Sequence, residues 1–163
     1  VLYGGFMATA DGVKLIEYNA RFGDPEAMNV LPLLDADFIE ICNSIADGTL
    51  NSVDVQFQNK ATVCKYAVPE GYPDKPVKGK PIDVSNVVNT DDLFYASVDI
   101  QNGQLVEAGS RTVAVVGIAN TISEAEKIAE NEISAVEGPL FHRTDIGSMQ
   151  LVNKRVEHMD SLR

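Results

Sequence analysis

The sequence predicts an α+β fold, in which a hairpin and two short helices lead into a second unit made of sheet covered by one longer helix. Three observations carry that prediction. Residues 13–19 and 94–100 alternate apolar and polar positions; Asn102-Gly103, a strong hairpin signal, follows the second run; and Ala125, Ile128, Ala129, Ile133 and Val136 form one stripe at helical spacing.

The elements follow in order. Residues 1–7 are apolar and glycine-punctuated, and Asp11-Gly12 is placed as the turn between them and the strand at 13–19. Asp24 before Pro25 fits a helix N-cap with proline at the first helical position, Ala27, Met28 and Leu31 giving an apolar face before Pro32 ends or bends the helix. Phe38, Ile41, Cys42 and Ile45 are spaced as a second helix over 37–46, opened by Asp37-x-x-Glu40. Apolar periodicity stops over 50–59, which divides the chain into residues 1–55 and a small C-terminal domain, 56–163. Residues 61–68 read as a strand. Residues 69–92 hold four of the seven prolines and read mostly as loop, with either a short strand over 81–88 or a role in covering a site. The run at 94–100 then turns at Asn102-Gly103 into 105–108, 112–118 is apolar enough for a strand covered on both faces, and Ser123-x-x-Glu126 opens the covering helix.

Composition narrows the function. With 13 basic against 24 acidic residues and a formal net charge of -11 over 163 residues, the surface repels nucleic acid and anionic membranes. No apolar run reaches the roughly 18 residues of a membrane span, and the opening residues lack the features of a signal peptide. Cys42 and Cys64 have no C-x-x-C spacing and read as small core residues, so a reducing cytoplasmic setting is expected. The chain opens without methionine inside an apparent strand, which suggests that sequence precedes it.

The chemistry concentrates between Glu17 and Glu26. Glu17 and Asn19 share one strand face about 7 Å apart and offer a carboxylate and an amide oxygen, a pair suited to Mg²⁺ with water and phosphate completing the shell. Arg21 keeps the same parity and adds a planar donor for phosphate or carboxylate. Taken alone, E-x-N reads as a solvated strand face.

The longer string is more specific. Residues 14–26, K-L-I-E-Y-N-A-R-F-G-D-P-E, then 30–34, V-L-P-L-L, and near the other end Arg143-Thr144-Asp145-Ile146-Gly147, resemble glycinamide ribonucleotide synthetase, a member of the ATP-grasp superfamily. The resemblance implies that residues 1–55 are the end of an ATP-grasp lobe and that 56–163 are the small C-terminal domain. It implies a ligase of purine biosynthesis that joins glycine to 5-phosphoribosylamine through a glycyl phosphate, with ATP as co-substrate and Mg²⁺ or Mn²⁺ as cofactor. Glu17 and Asn19 then match the metal and nucleotide ligands, and Arg21 and Asp24 the catalytic loop that orients phosphate, carboxylate or amine. Gly23 is expected where the backbone turns beside ligand. Gly109-Ser110-Arg111 departs from the family's G-G-R. The phosphate-gripping lobes are expected ahead of Val1, so the chain by itself is expected to be inactive and to self-associate through uncovered apolar surface.

Other residues read structurally. Arg143 and Asp145 fit an ion pair or loop clamp as well as a substrate contact, Lys75, Lys78 and Lys80 a solvated loop, and His142 and His158 surface or packing positions. Two other classes stand beside the ligase reading, a non-catalytic module that keeps the fold and a related ligase acting on another carboxylate.

Overall fold

A computed structural model describes residues 1–162. It opens with a two-stranded antiparallel ribbon, β1 (Tyr3–Thr9) and β2 (Gly12–Asn19), paired from Thr9 and Gly12 to Tyr3 and Asn19. The two-residue turn is Ala10-Asp11, because Gly12, at φ 99°, already belongs to β2. Gly5 faces Glu17 but Phe6 faces Leu15, so a bulge at Ile16 re-aims the strand where Glu17 and Asn19 begin.

Two short helices follow, α1 (Glu26–Val30) and α2 (Phe38–Ala46). Asp24 does not cap α1. Pro25 occupies the N-cap position without a side-chain hydrogen bond, since the Asp24 carboxylate is drawn away to Tyr66 and Arg111. Pro32 ends the α-helix as expected: α1 stops at Val30, and Pro32 falls at the start of a 3₁₀ turn, Leu31–Leu33, where its missing N–H leaves nothing unpaired. Asp37 does cap α2, accepting from the N–H groups of Ile39 and Glu40 at 2.8 and 3.2 Å. The expected apolar face of α2 stays outside: Ile45 and Cys42 are exposed and Ser44 alone is buried, which corrects the reading of Cys42 as a core residue.

The second unit contains β3 (Ala61–Pro69), β4 (Leu93–Tyr95), β5 (Val98–Gln101), β6 (Gln104–Glu107), β7 (Val113–Ala119), α3 (Ile122–Ser134), β8 (Leu140–Phe141) and α4 (Met149–Ser161). Four strands form an antiparallel sheet in the order β4-β7-β3-β8, and β5 pairs with β6 as a separate hairpin. The strand expected over 94–100 is therefore two. Ala96 and Ser97 donate to the carbonyls of Thr112 and Arg111 at 3.0 and 2.9 Å, and there the chain leaves the sheet for the hairpin. Asn102 and Gly103, at φ 52° and 78°, form its turn as expected. Residues 81–88 make two isolated bridges, Pro81 to Val106 and Asp83 to Glu137, in place of a strand, and sink Ile82 and Val87 into the core.

β7 is covered on both faces. Val113 and Val115, with Val63 and Ala67 of β3, pack against Ala125, Ala129 and Ile133 of α3; Ala114, Val116 and Cys64 face the other way, toward Met28, Tyr66 and Phe94. A Cβ at Gly117 would collide with the Ala125 carbonyl, so glycine sets how closely α3 lies on the sheet. The capping box of α3 is Thr121 with Glu124, two residues ahead of the predicted Ser123 and Glu126, and this shift frees Glu126 to face the sheet. α4, opened by Ser148, whose hydroxyl accepts from the Leu151 N–H at 3.3 Å, ends the described chain. No described helix is long and apolar enough to cross a membrane.

Candidate functional site

β2 brings Glu17 and Asn19 together: the Asn19 side-chain nitrogen donates to Glu17 Oε1 at 3.1 Å, with Glu17 exposed and Asn19 half-buried. A carboxylate and an amide carbonyl converging from one strand face are hard oxygen donors. Among the described residues no group of three or more His, Cys, Asp or Glu side chains could hold a metal. That donor set fits Mg²⁺, which takes one or two protein oxygens and completes its octahedron with water and phosphate, and does not fit an ion that needs a full protein cage.

Arg21 and Asp24 part company. Arg21 is exposed and turns back, its Nη1 donating to the Phe22 carbonyl at 2.8 Å. Asp24 crosses to the second unit, where its Oδ1 accepts from the Tyr66 hydroxyl at 2.9 Å and its Oδ2 pairs with Arg111 Nη1 at 3.0 Å. The Arg111 guanidinium also lies over the Tyr66 ring, 5.2 Å from its centroid. Burial, then the Asp24 hydrogen bond, pushes the Tyr66 phenol well above its usual range, so it stays a donor. Gly23 opens a turn, its carbonyl accepting from the Ala27 N–H at 2.9 Å. A Cβ there would strike the Glu26 carboxylate, whose Oε1 accepts from the Tyr3 hydroxyl at 2.8 Å and ties β1 to the start of α1.

Beside Asp24 opens a cleft of about 380 Å³, walled by Pro25, Cys64, Tyr66, Tyr72, Phe141 and Arg143 among others. Arg143 is clamped by Asp145, Nε to Oδ1 at 2.9 Å and Nη2 to Oδ2 at 2.6 Å, and that hydrogen-bonded pairing holds the Asp145 carboxyl below the usual range. The whole segment is fastened from behind by Lys65, whose side chain is fully buried. Its ammonium donates to Glu126 at 2.7 Å, to Glu130, and to the Thr144 carbonyl at 3.1 Å, while Glu130 also meets His142 Nε2 at 3.2 Å. Gly147 follows at φ 78°, and a side chain there would press on Val63 and Glu126, so the run from Arg143 to Gly147 needs its glycine. Ser110, the departure from G-G-R, is exposed; the close approach falls on Gly109, where a Cβ would meet Ser97.

Tyr66, Tyr72, Arg111 and Lys65 were not predicted as site residues. Arg111 carried a signal in the G-S-R string. Tyr66 and Lys65 carried none, since nothing local in a strand tells which distant carboxylates its polar residues will meet.

Known proteins resemble this chain across both of its units. The family model described as phosphoribosylglycinamide synthetase, C domain, matches residues 62–149, and the model of the ATP-grasp (A) domain of the same synthetase matches residues 1–27. A phosphoribosylamine--glycine ligase of Methanocaldococcus jannaschii is 55% identical across 100% of this chain, and one of Methanosarcina acetivorans 53% identical across 100%. In both cases the chain spans about 37% of the length of the curated relative. The crystal structure of the phosphoribosylamine--glycine ligase of Thermotoga maritima superposes with a TM-score of 0.68 at 28% identity, over 89% of this chain and 36% of that one.

Proposed function

The chain belongs to the phosphoribosylglycinamide synthetase family, and from that premise we propose that it supplies the metal-holding strand and the C-terminal domain of an ATP-dependent ligase joining glycine to 5-phosphoribosylamine. What carries this reading is the convergence of Glu17 and Asn19 on one strand face, with Asp24 five residues after Asn19 and tied to the second unit. The units are residues 1–55, the end of the ATP-grasp domain, and 56–163.

In this proposal Glu17 and Asn19 hold Mg²⁺ or Mn²⁺ on the nucleotide. The ion, when bound, screens the phosphate charge that opposes attack by a carboxylate. Arg21 keeps guanidinium donors for a phosphate or carboxylate, and Asp24 offers a carboxylate to an amine. Phe6, Met7, Leu15, Ile16 and Tyr18 of the ribbon are each more than half exposed, and this uncovered apolar surface is where the rest of an ATP-grasp domain would sit. Left uncovered, the same surface would drive self-association. Two free thiols, one of them exposed, suit a reducing cytoplasm.

The test is a chimera in which this chain replaces the matching segment of the Methanocaldococcus jannaschii ligase. Glycine-dependent ADP release is expected, and Glu17→Ala should lower turnover on the order of a hundredfold, because a charged ligand helps place the ion, while Asn19→Ala should cost less. Near-normal turnover of the Glu17→Ala chimera across a Mg²⁺ titration would sink the ligand assignment.

A further inference from the structure

We infer that the cleft between β3, β8 and the start of α1 seats the phosphate-ester end of the amine substrate, with Arg111 and Arg143 as its cationic walls; this rests on the ligase reading above. On a chain of net charge -11, two guanidinium groups facing one cleft are a local exception that an anion can use. Neither group is used up. Carboxylates occupy Nη1 of Arg111 and Nε and Nη2 of Arg143, which leaves N–H donors on both, with the Tyr72 hydroxyl also beside Arg111.

Size and walls select among anions. About 380 Å³ is more than a two-carbon amino acid fills, and it lies at the low end of the roughly 300–1,000 Å³ range of small-molecule sites. Tyr66, Tyr72 and Phe141 give flat surfaces against which a sugar ring packs, while the arginines take the phosphate. Position agrees as well. Asp24 lies five residues after Asn19, so the cleft edge is within about 18 Å of the metal strand even if that stretch were fully extended. Asp24, paired with Arg111 at 3.0 Å, stands where the anion would take over the guanidinium and leave the carboxylate to the substrate's amine.

Titration of the 163-residue chain with ribose 5-phosphate, followed by calorimetry and by NMR, tests this directly, with ribose and inorganic phosphate as comparison ligands. Ribose 5-phosphate should bind in the millimolar range or tighter, ribose not measurably, and inorganic phosphate more weakly than the ester. Arg111→Met and Arg143→Met should each weaken the ester by roughly tenfold, as charge-assisted bonds are lost. Should Arg111→Met disturb folding through loss of its Asp24 pair, Arg143→Met, on the segment fastened by Lys65, still decides. Absence of saturable binding, binding that survives both substitutions, or inorganic phosphate binding as tightly as the ester would overturn the inference. The titration needs neither metal nor nucleotide, so its failure leaves the ligase reading standing, whereas failure of the chimera leaves the anion site standing.

Discussion

Lys65→Met should destabilise the second unit by about 3 kcal/mol, at the low end of the 3–5 kcal/mol range for breaking a buried ion pair. Methionine matches the lysine stem in length and polarity, so little cavity forms and the loss is electrostatic. All three ammonium hydrogens are committed, to Glu126, Glu130 and the Thr144 carbonyl, and the substitution strands two carboxylates and one acceptor. The carboxylate side chains are 18% and 30% exposed and can rehydrate in part, and His142 still faces Glu130, which is why the low end applies. For a unit of about 100 residues, where 1 kcal/mol moves Tm by roughly 4–8 °C, thermal melts by circular dichroism should show a fall of about 12–24 °C. Adding Glu126→Gln and Glu130→Gln should restore much of it, since the stranded charges are then gone. A fall under about 4 °C, or no recovery in the triple variant, would refute the claim that this network holds the sheet to α3.

Two further outcomes follow from buried groups. Both oxygens of the Glu107 carboxylate lack a partner at 1% exposure, and burial, with Glu70 adding and Lys80 opposing, raises its pKa above the unfolded value. The folded state therefore holds a proton that the unfolded chain releases: the contribution is complete below the ordinary glutamate range and is lost as pH rises through the raised value. Urea denaturation of Glu107→Gln from pH 4 to 8 should accordingly show a shallower fall in stability with rising pH than wild type, and equal slopes would contradict it. Burial foremost pushes the Cys64 thiol up to about 12, while Cys42 is exposed. Iodoacetamide at about pH 8 should label Cys42 in the folded chain and reach Cys64 only in urea, as peptide mass mapping would show; comparable rates at both would mean that β3 is not packed as described.

Legibility in the sequence followed the range of the forces involved. The capped helix at Asp37, the Asn102-Gly103 turn and the two-faced burial of β7 are local in origin, and each stands where its residues predicted. Glu17 and Asn19 were legible because strand parity alone puts them on one face. Errors arose where a distant partner outbid a local preference. Asp24 has the chemistry of an N-cap, yet Tyr66 and Arg111 take its carboxylate from 42 and 87 residues away. Alternation over 94–100 gave no sign of the break at Ala96 and Ser97, because what ends the strand is the competing pair of carbonyls at Arg111 and Thr112. Cys42 and Ile45 carry an apolar helical stripe, but nothing among the described residues covers it, so periodicity announced a buried face that these residues do not bury.

Register in β3 links the core to the site. Val63, Lys65 and Ala67 face α3, whereas Cys64 and Tyr66 face α1, as the two clusters and the Lys65 ion pairs show. Lys65 fixes the Thr144 carbonyl and with it the Arg143 wall of the cleft; Tyr66, the next residue, fixes Asp24 at the opposite edge. Slipping β3 by one residue against β7 would send the lysine toward Asp24 and bury the tyrosine under α3, and it would also turn Val63 and Ala67 away from Ala125 and Ala129. The apolar alternation that holds seven residue pairs of the ladder, from Ala61 with Ala119 to Ala67 with Val113, therefore resists any motion that would separate the cleft walls. Both walls take their position from adjacent residues of one strand, so the spacing of the cleft depends on the single peptide unit that joins buried Lys65 to half-buried Tyr66.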